Sequence, residues 1–205
     1  GNSNPADNSP ETWRKFATDF QTRALKTRLK IPLLYGVDAV HGHNNLVGAV
    51  VFPHNIGLGA TRNPSLVEQA ARVTAREIAG TSIHWAFAPC VAVVQNIRWG
   101  RSYESFGSDP ALVGRMGAAA VKGLQSELPN GFQVLSCTKH FAGDGGTLNG
   151  VDQGNTVGEE AQLRKLHLSP YAAAIKAGTK SIMVSYSSWN GEKMHGHKRL
   201  LTDVL

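Results

Sequence analysis

Ser169-Pro170-Tyr171-Ala172-Ala173-Ala174-Ile175-Lys176-Ala177-Gly178-Thr179-Lys180-Ser181-Ile182-Met183-Val184-Ser185-Tyr186 contains one helix and one strand back to back. Serine followed by proline is a helix-start signal. The hydroxyl accepts a hydrogen bond from a free N–H of the first turn, and proline supplies the helical φ while lacking an N–H that would have gone unpaired. Gly178 reads as the C-cap, and the apolar run over 181–186 has the length of a strand.

The same start recurs at Ser9-Pro10, Asn63-Pro64 and Asp109-Pro110. Each opens an amphipathic stretch: Trp13, Phe16 and Phe20 share one face in the first, and Leu66, Ala70, Val73 and Ile78 precede Gly80 in the second. Strand-length apolar runs lie between them at 31–37, 83–94 and 134–138. Strands separated by helices are the pattern of right-handed βαβ crossovers and of a parallel sheet buried on both faces. An open doubly wound sheet and a (β/α)8 barrel both fit. Gly57-Leu58-Gly59 lacks the third glycine of a dinucleotide fingerprint and follows no obvious strand, which disfavours a nucleotide-binding sheet.

Polar residues gather just after each run: Asp38, His41 and His43, then Arg98, Arg101 and Glu104, then Lys139 and His140, then Tyr186 and Trp189. In a barrel these points meet at one rim, where side chains remote in sequence line one pocket. Only about four strand-helix units are visible, where a closed barrel needs eight. Thr202-Asp203-Val204-Leu205 reads as a cap and half a helical turn, so residues 1–205 are expected to form a single partial domain of a larger barrel.

The composition is that of a globular domain: 205 residues, 41% hydrophobic and 18% charged. The formal charge is +6, but Lys and Arg are scattered, so neither a nucleic-acid nor a membrane partner is read from it. No apolar run approaches the roughly 18 residues of a membrane span, and residues 1–9 are polar and turn-rich, so no signal peptide is visible. Cys90 and Cys137 each sit in an apolar stretch at a spacing foreign to zinc or redox motifs. Buried free thiols and a disulfide both remain open, and cysteine usage does not fix the compartment.

Four segments can carry chemistry. In Gly36-Val37-Asp38-Ala39-Val40-His41-Gly42, a carboxylate at a strand end suits a general base, a metal ligand, a cap, or an acceptor for two vicinal hydroxyls. Arg98-Trp99-Gly100-Arg101-Ser102-Tyr103-Glu104-Ser105-Phe106 sets two arginines beside a glutamate and aromatics, which suits a salt-bridged loop, an anion site or a carbohydrate. One arginine is expected to be structural and one to face the pocket. Lys139-His140-Phe141-Ala142-Gly143-Asp144-Gly145-Gly146-Thr147 ends an apolar strand in two groups that are costly to bury without partners, ahead of a loop that lets backbone approach a ligand. A phosphate loop does not fit, because the Lys precedes the glycines. Ser185-Tyr186-Ser187-Ser188-Trp189-Asn190-Gly191 ends in aromatics and hydroxyls and turns at Asn190 and Gly191.

In this order the four segments resemble glycoside hydrolase family 3, over roughly residues 31–205, and most closely its β-glucosidase and exo-β-glucanase branch. The resemblance implies part of a (β/α)8 TIM-type barrel with parallel strands, about half of the barrel. It implies hydrolysis of terminal non-reducing β-D-glucosyl residues from β-glucosides or β-glucans by a retaining mechanism, without a cofactor or metal. It implies Asp38, Arg101, Lys139 and His140 as hydroxyl ligands of a terminal glucose, with Tyr186 near the anomeric centre. The β-N-acetylhexosaminide branch carries histidines where this chain has Asp144 and the surroundings of Asp152 and Gln153, so that branch is disfavoured.

Retaining glycosidases need two carboxyl groups about 5 Å apart. The family's nucleophile is an Asp between Ser and Trp on the following strand, and its acid/base lies on a separate domain. Neither is found here; Ser108-Asp109-Pro110 is a helix cap. The partners implied are therefore a β-glucoside or β-glucan oligosaccharide, the rest of the barrel and a second domain. The isolated piece is expected to be inactive. A periplasmic or secreted location follows from the resemblance alone. Two rivals stand beside it: a metal-dependent amidohydrolase-type barrel, for which His41-Gly42-His43 has the spacing of two rim ligands, and a non-catalytic carbohydrate-binding module.

Overall fold

The computed structural model describes residues 4–129 and 131–205. Its elements run α1 (Pro10–Leu25), β1 (Gly36–Val37), α2 (Asn55–Ala60), α3 (Pro64–Gly80), β2 (Trp85–Ala86), α4 (Pro110–Leu124), β3 (Leu135–Phe141), β4 (Asn155–Thr156), α5 (Glu160–Leu163), α6 (Ser169–Lys176), β5 (Ser181–Val184), β6 (Ser188–Trp189) and β7 (Glu192–Lys193). The main sheet has the order β1-β2-β3-β5 and every pair in it is parallel. Helices cross between successive strands and pack side by side, α3 on α4 and α4 on α6. This is an arc of a (β/α)8 barrel with four of its strands.

Three of the four predicted caps are formed. Ser9 Oγ accepts from Thr12 N at 3.2 Å, Asn63 Oδ1 from Ser65 N at 3.0 Å, and Asp109 Oδ1 from Ala111 N at 3.0 Å. The fourth is not a cap. Helical structure already begins at Glu160, passes through a π turn over Arg164–Leu168, and continues into α6, where Ser169 Oγ donates to Lys165 O at 2.8 Å. A proline inside a helix lacks one N–H and crowds the carbonyl of the preceding turn; the wider π turn accommodates Pro170 there.

Three of the strands are shorter than the apolar runs that predict them, whereas β3 continues past the run at 134–138 to Phe141. Of residues 31–37 only Gly36 and Val37 pair, while Ile31, Leu33 and Leu34 are exposed. Pro32 cannot donate to a ladder, and the side chain of Gln21 takes both backbone groups of Leu33, accepting at 2.6 Å and donating at 3.2 Å. In residues 83–94 the regular strand is only Trp85–Ala86; beyond it Ala88 O and Pro89 O still accept from Cys137 N and Lys139 N at 2.9 Å, but Pro89 has no N–H to give back, and Cys90 pairs with Lys139 as a bridge. The run at 181–186 pairs only over Ser181–Val184.

Two elements were not anticipated. Gly57-Leu58-Gly59 lies within α2, and a side chain on Gly59 would sit 2.0 Å from the Phe106 carbonyl, so this glycine is what lets α2 lie on the loop after β2. A second small sheet pairs β4 with β6 in parallel and β6 with β7 in a hairpin. Asn190 and Gly191, at φ 49° and 88°, form its turn, as their identities predict.

Two apolar clusters share the packing of α3 and α4 with the strands. One gathers Val91, Val113, Met116, Phe141 and Tyr171, and the other gathers Trp13, Val37, Ile78, Ile83 and Val134. Cys90 and Cys137 are both buried and free. No described helix is long and apolar enough to cross a membrane.

Candidate functional site

The polar strand ends come together. Asp38 follows β1, Arg101 and Glu104 flank a short turn after β2, and Lys139 and His140 are the last polar residues of β3. Asp144 opens the 3-10 turn Asp144–Gly146 that follows β3. Because the strands are parallel, all six residues stand at one end of the sheet.

Their side chains form a single chain of contacts. Lys139 Nζ donates to Asp38 Oδ1 at 3.0 Å and lies 3.9 Å from Glu104 Oε2. Arg101 donates to both Glu104 oxygens, Nε to Oε1 at 2.6 Å and NH2 to Oε2 at 2.9 Å, the paired geometry that suits a guanidinium to a carboxylate. The same NH2 lies 3.0 Å from His140 Nε2, and His140 Nδ1 lies 2.8 Å from Asp144 Oδ2. Arginine has no acceptor, so Nε2 of His140 accepts and the ring proton sits on Nδ1, donated to Asp144. The chain of contacts fixes the tautomer.

Burial is graded along this network. The side chains of Lys139, Glu104, Asp144 and His140 are 3, 8, 7 and 10% exposed, whereas those of Arg101 and Asp38 are 32 and 47% exposed. The buried members anchor and the outer two face solvent. Burial alone would raise the Glu104 carboxyl; the Arg101 hydrogen bonds, with Lys139 and His140 nearby, outweigh it and hold it below its ordinary value. Burial works against the Arg101 cation, and Glu104 more than compensates, pushing its pKa above the ordinary value.

Sequence reasoning names four members of the network, Asp38, Arg101, Lys139 and His140. It places Glu104 nearby without a site role and passes over Asp144 as a ligand-side residue. The signals were local: Glu104 stands three residues after Arg101, and Asp144 four after His140. Of the two arginines, Arg101 joins the network and Arg98 is exposed. Tyr186 stands beyond the end of β5, 68% exposed, with its ring against His195 at 5.5 Å. No hydrogen bond among the described residues links it to the other four.

The metal-ligand reading of His41 and His43 fails on geometry. Gly42, at φ 102°, turns the chain between them. His41 Nδ1 bonds Phe52 O at 2.8 Å and its ring lies against His54, whereas His43 is fully buried against Trp13 with Nε2 on Thr81 Oγ1 at 3.1 Å. Among the described residues, the group close enough to share an ion is Cys90, His140 and Asp144, within 4.8 Å of one another. That set does not fit a metal as it stands. Burial, with Asp144 and Glu104 adding to it, pushes the Cys90 thiol up to about 12, and His140 has its Nδ1 proton turned to Asp144 and its Nε2 lone pair engaged by Arg101.

Residues 4–205 match the profile of the Glycosyl hydrolase family 3 N terminal domain. The chain is 39% identical over 183 residues to the lysosomal beta glucosidase of Dictyostelium discoideum, covering 86% of this chain and 22% of that protein. It is 38% identical over 181 residues to the periplasmic beta-glucosidase of Salmonella typhimurium, covering 87% and 23%. It superposes on the exo-1,3/1,4-beta-glucanase of a Pseudoalteromonas species with a TM-score of 0.91 at 47% identity, over 99% of this chain and 26% of that one. The chain thus spans about a quarter of the length of these relatives.

Proposed function

This chain belongs to glycosyl hydrolase family 3, and we propose that the protein containing it removes terminal non-reducing β-D-glucosyl residues from β-glucosides or β-glucans by a retaining mechanism. In this reading the chain supplies the grip on the terminal glucose. The observation that carries it is the contact network from Lys139 through Glu104, Arg101 and His140 to Asp144, anchored by buried side chains, which presents two partly exposed groups, Asp38 and Arg101, at the rim of the sheet.

Each ligand has a chemical task. Asp38 keeps one oxygen on Lys139 and has a second for sugar hydroxyls, a charged acceptor for a vicinal pair. Arg101 and Lys139 present further N–H donors, and their shared carboxylate Glu104 holds them in place. Tyr186 sits near the anomeric centre, so its ring must turn in from the exposed rim. The reacting carboxylates are not drawn from the network: Glu104 is tied to Arg101 and Asp144 to His140, which leaves neither free to attack carbon or protonate a leaving oxygen. Nucleophile and acid/base come from elsewhere in the whole protein, whose location is periplasmic or secreted.

The test separates grip from chemistry. In the full-length protein, Asp38→Ala lowers kcat/KM for an aryl β-glucoside by about two to four orders of magnitude, the scale of two lost charged hydrogen bonds. The 205-residue chain by itself binds glucose in a calorimetric titration without turning over the glucoside. An unchanged kcat/KM in the variant removes the grip reading, and turnover by the isolated chain that vanishes with Asp38→Ala removes the assignment of the reacting carboxylates.

A further inference from the structure

The glycine-rich turn Asp144–Gly146 has two sides. On one, Asp144 meets His140. On the other, Gly146 meets His167, which projects from the π turn ahead of α6: a side chain on Gly146 would lie 2.5 Å from His167 Nε2 and would have to push the imidazole aside. Beside that contact lies a cavity of about 140 Å³, lined by Gln95, Gly146, Thr156, Gln162, His167 and Trp189 among others. One water requires roughly 10–15 Å³ measured the same way, so the space exceeds a single solvent molecule by an order of magnitude.

His167 is the feature that asks for an occupant. It is 6% exposed, yet makes no hydrogen bond to any described residue. Buried polar groups without partners are rare, and this ring lines the open space beside its contact with Gly146. Burial lowers its pKa and Asp144 only partly opposes this, so the ring enters the cavity neutral, as one donor and one acceptor.

The remaining walls set the class of ligand. Gln95 donates its Nε2 to Val94 O at 3.2 Å, which leaves its amide oxygen available, and Gln162 stands at the exposed mouth. Trp189 offers an indole held against His197, with centroids 5.7 Å apart and planes 31° apart. No Lys or Arg lines the cavity, which disfavours an anion, and its single carboxylate, Glu159, is exposed to water. Neutral donors and acceptors around an aromatic wall suit a molecule with many hydroxyls and an apolar C–H face.

We propose that the cavity between His167 and Trp189, behind the glycine-rich turn, is a second binding site for a neutral polyhydroxylated molecule of monosaccharide size. It is separate from the strand-end network and does not rest on the glucosidase reading.

D-glucose titrated into the full-length protein carrying Asp38→Ala, which disables the strand-end site, is the test. One saturable binding event is expected, accompanied by a shift of the His167 Cε1–H resonance. His167→Phe abolishes it. Gln162→Leu, at the exposed mouth where folding is not at stake, weakens it about fivefold to tenfold, the scale of one neutral hydrogen bond. Laminaribiose distinguishes the sources: tighter binding than glucose marks the end unit of a chain, and equal or weaker binding marks a free sugar. Absence of a saturable event in the Asp38→Ala protein, or an event indifferent to both cavity variants, overturns the second site and leaves the first untouched.

Discussion

Glu104→Gln tests whether the network is held from its buried centre. Glutamine keeps the shape but replaces one acceptor oxygen with a donor, directed at Arg101 or Lys139, both of which only donate. Arg101 retains at most one of its two bonds at 2.6 and 2.9 Å, and Lys139, 3% exposed, retains Asp38 alone. Breaking a buried ion pair from one side costs about 3–5 kcal/mol. Since Arg101 is 32% exposed and water takes part of its charge, the lower end applies, about 3 kcal/mol. For a domain of this length that is a fall in Tm of roughly 6–12 °C, read by scanning calorimetry of the chain. Asp38→Asn removes a carboxylate from the same network at its 47% exposed end and costs at most about 1 kcal/mol. Equal shifts for the two variants, or a Glu104→Gln protein melting with the parent, would refute the idea that burial decides what each charge contributes. The pH dependence has a definite sign: the Glu104 carboxyl is depressed in the fold, so its contribution is complete above its ordinary value of 4.5 and is lost as pH falls through the folded value.

His43 gives a second pH effect. Burial lowers its pKa from 6.5 to about 4, so the unfolded chain takes up the proton first as pH falls, and stability complete above 6.5 is lost down to about 4. The drop amounts to roughly 3 kcal/mol, and the difference between the parent and His43→Gln across that window isolates it from the other histidines. Helix starts provide a paired test: Asn63→Ala costs about 1 kcal/mol because a cap is lost, whereas Ser169→Ala stays within about 0.5 kcal/mol because that hydroxyl caps nothing. Equal losses in calorimetry would contradict the continuous helical run through Pro170.

What was legible in the sequence was local chemistry, and what was not was set by partners. Ser9, Asn63 and Asp109 act on N–H groups two or three residues away, so their role is written in the adjacent letters. Ser169 carries the same letters, but its neighbours were already helical, and only the preceding turns reveal that. Strand extent failed for the same reason: Pro32 and Pro89 withhold donors, and the run at 31–37 pairs on one side only. The two-residue strands of the small sheet are too short to show any alternation.

The site was legible to the extent that burying Lys139 beside His140 demands partners, but the identity of those partners is a matter of register. Pairing Trp85 with Leu135 and Cys90 with Lys139 brings the loop after β2 level with the end of β3, so that Arg101 and Glu104 can reach both residues, and pairing Gly36 with Trp85 brings Asp38 to the same height. His41 and His43 make the converse point. Their spacing suits a shared ion, yet one left-handed glycine sends the first to the rim and the second into the core. Adjacent letters can state that a charge needs a partner; only the parallel register, common to three strands, states that Asp38, Glu104 and Asp144 share the task of holding Lys139, Arg101 and His140.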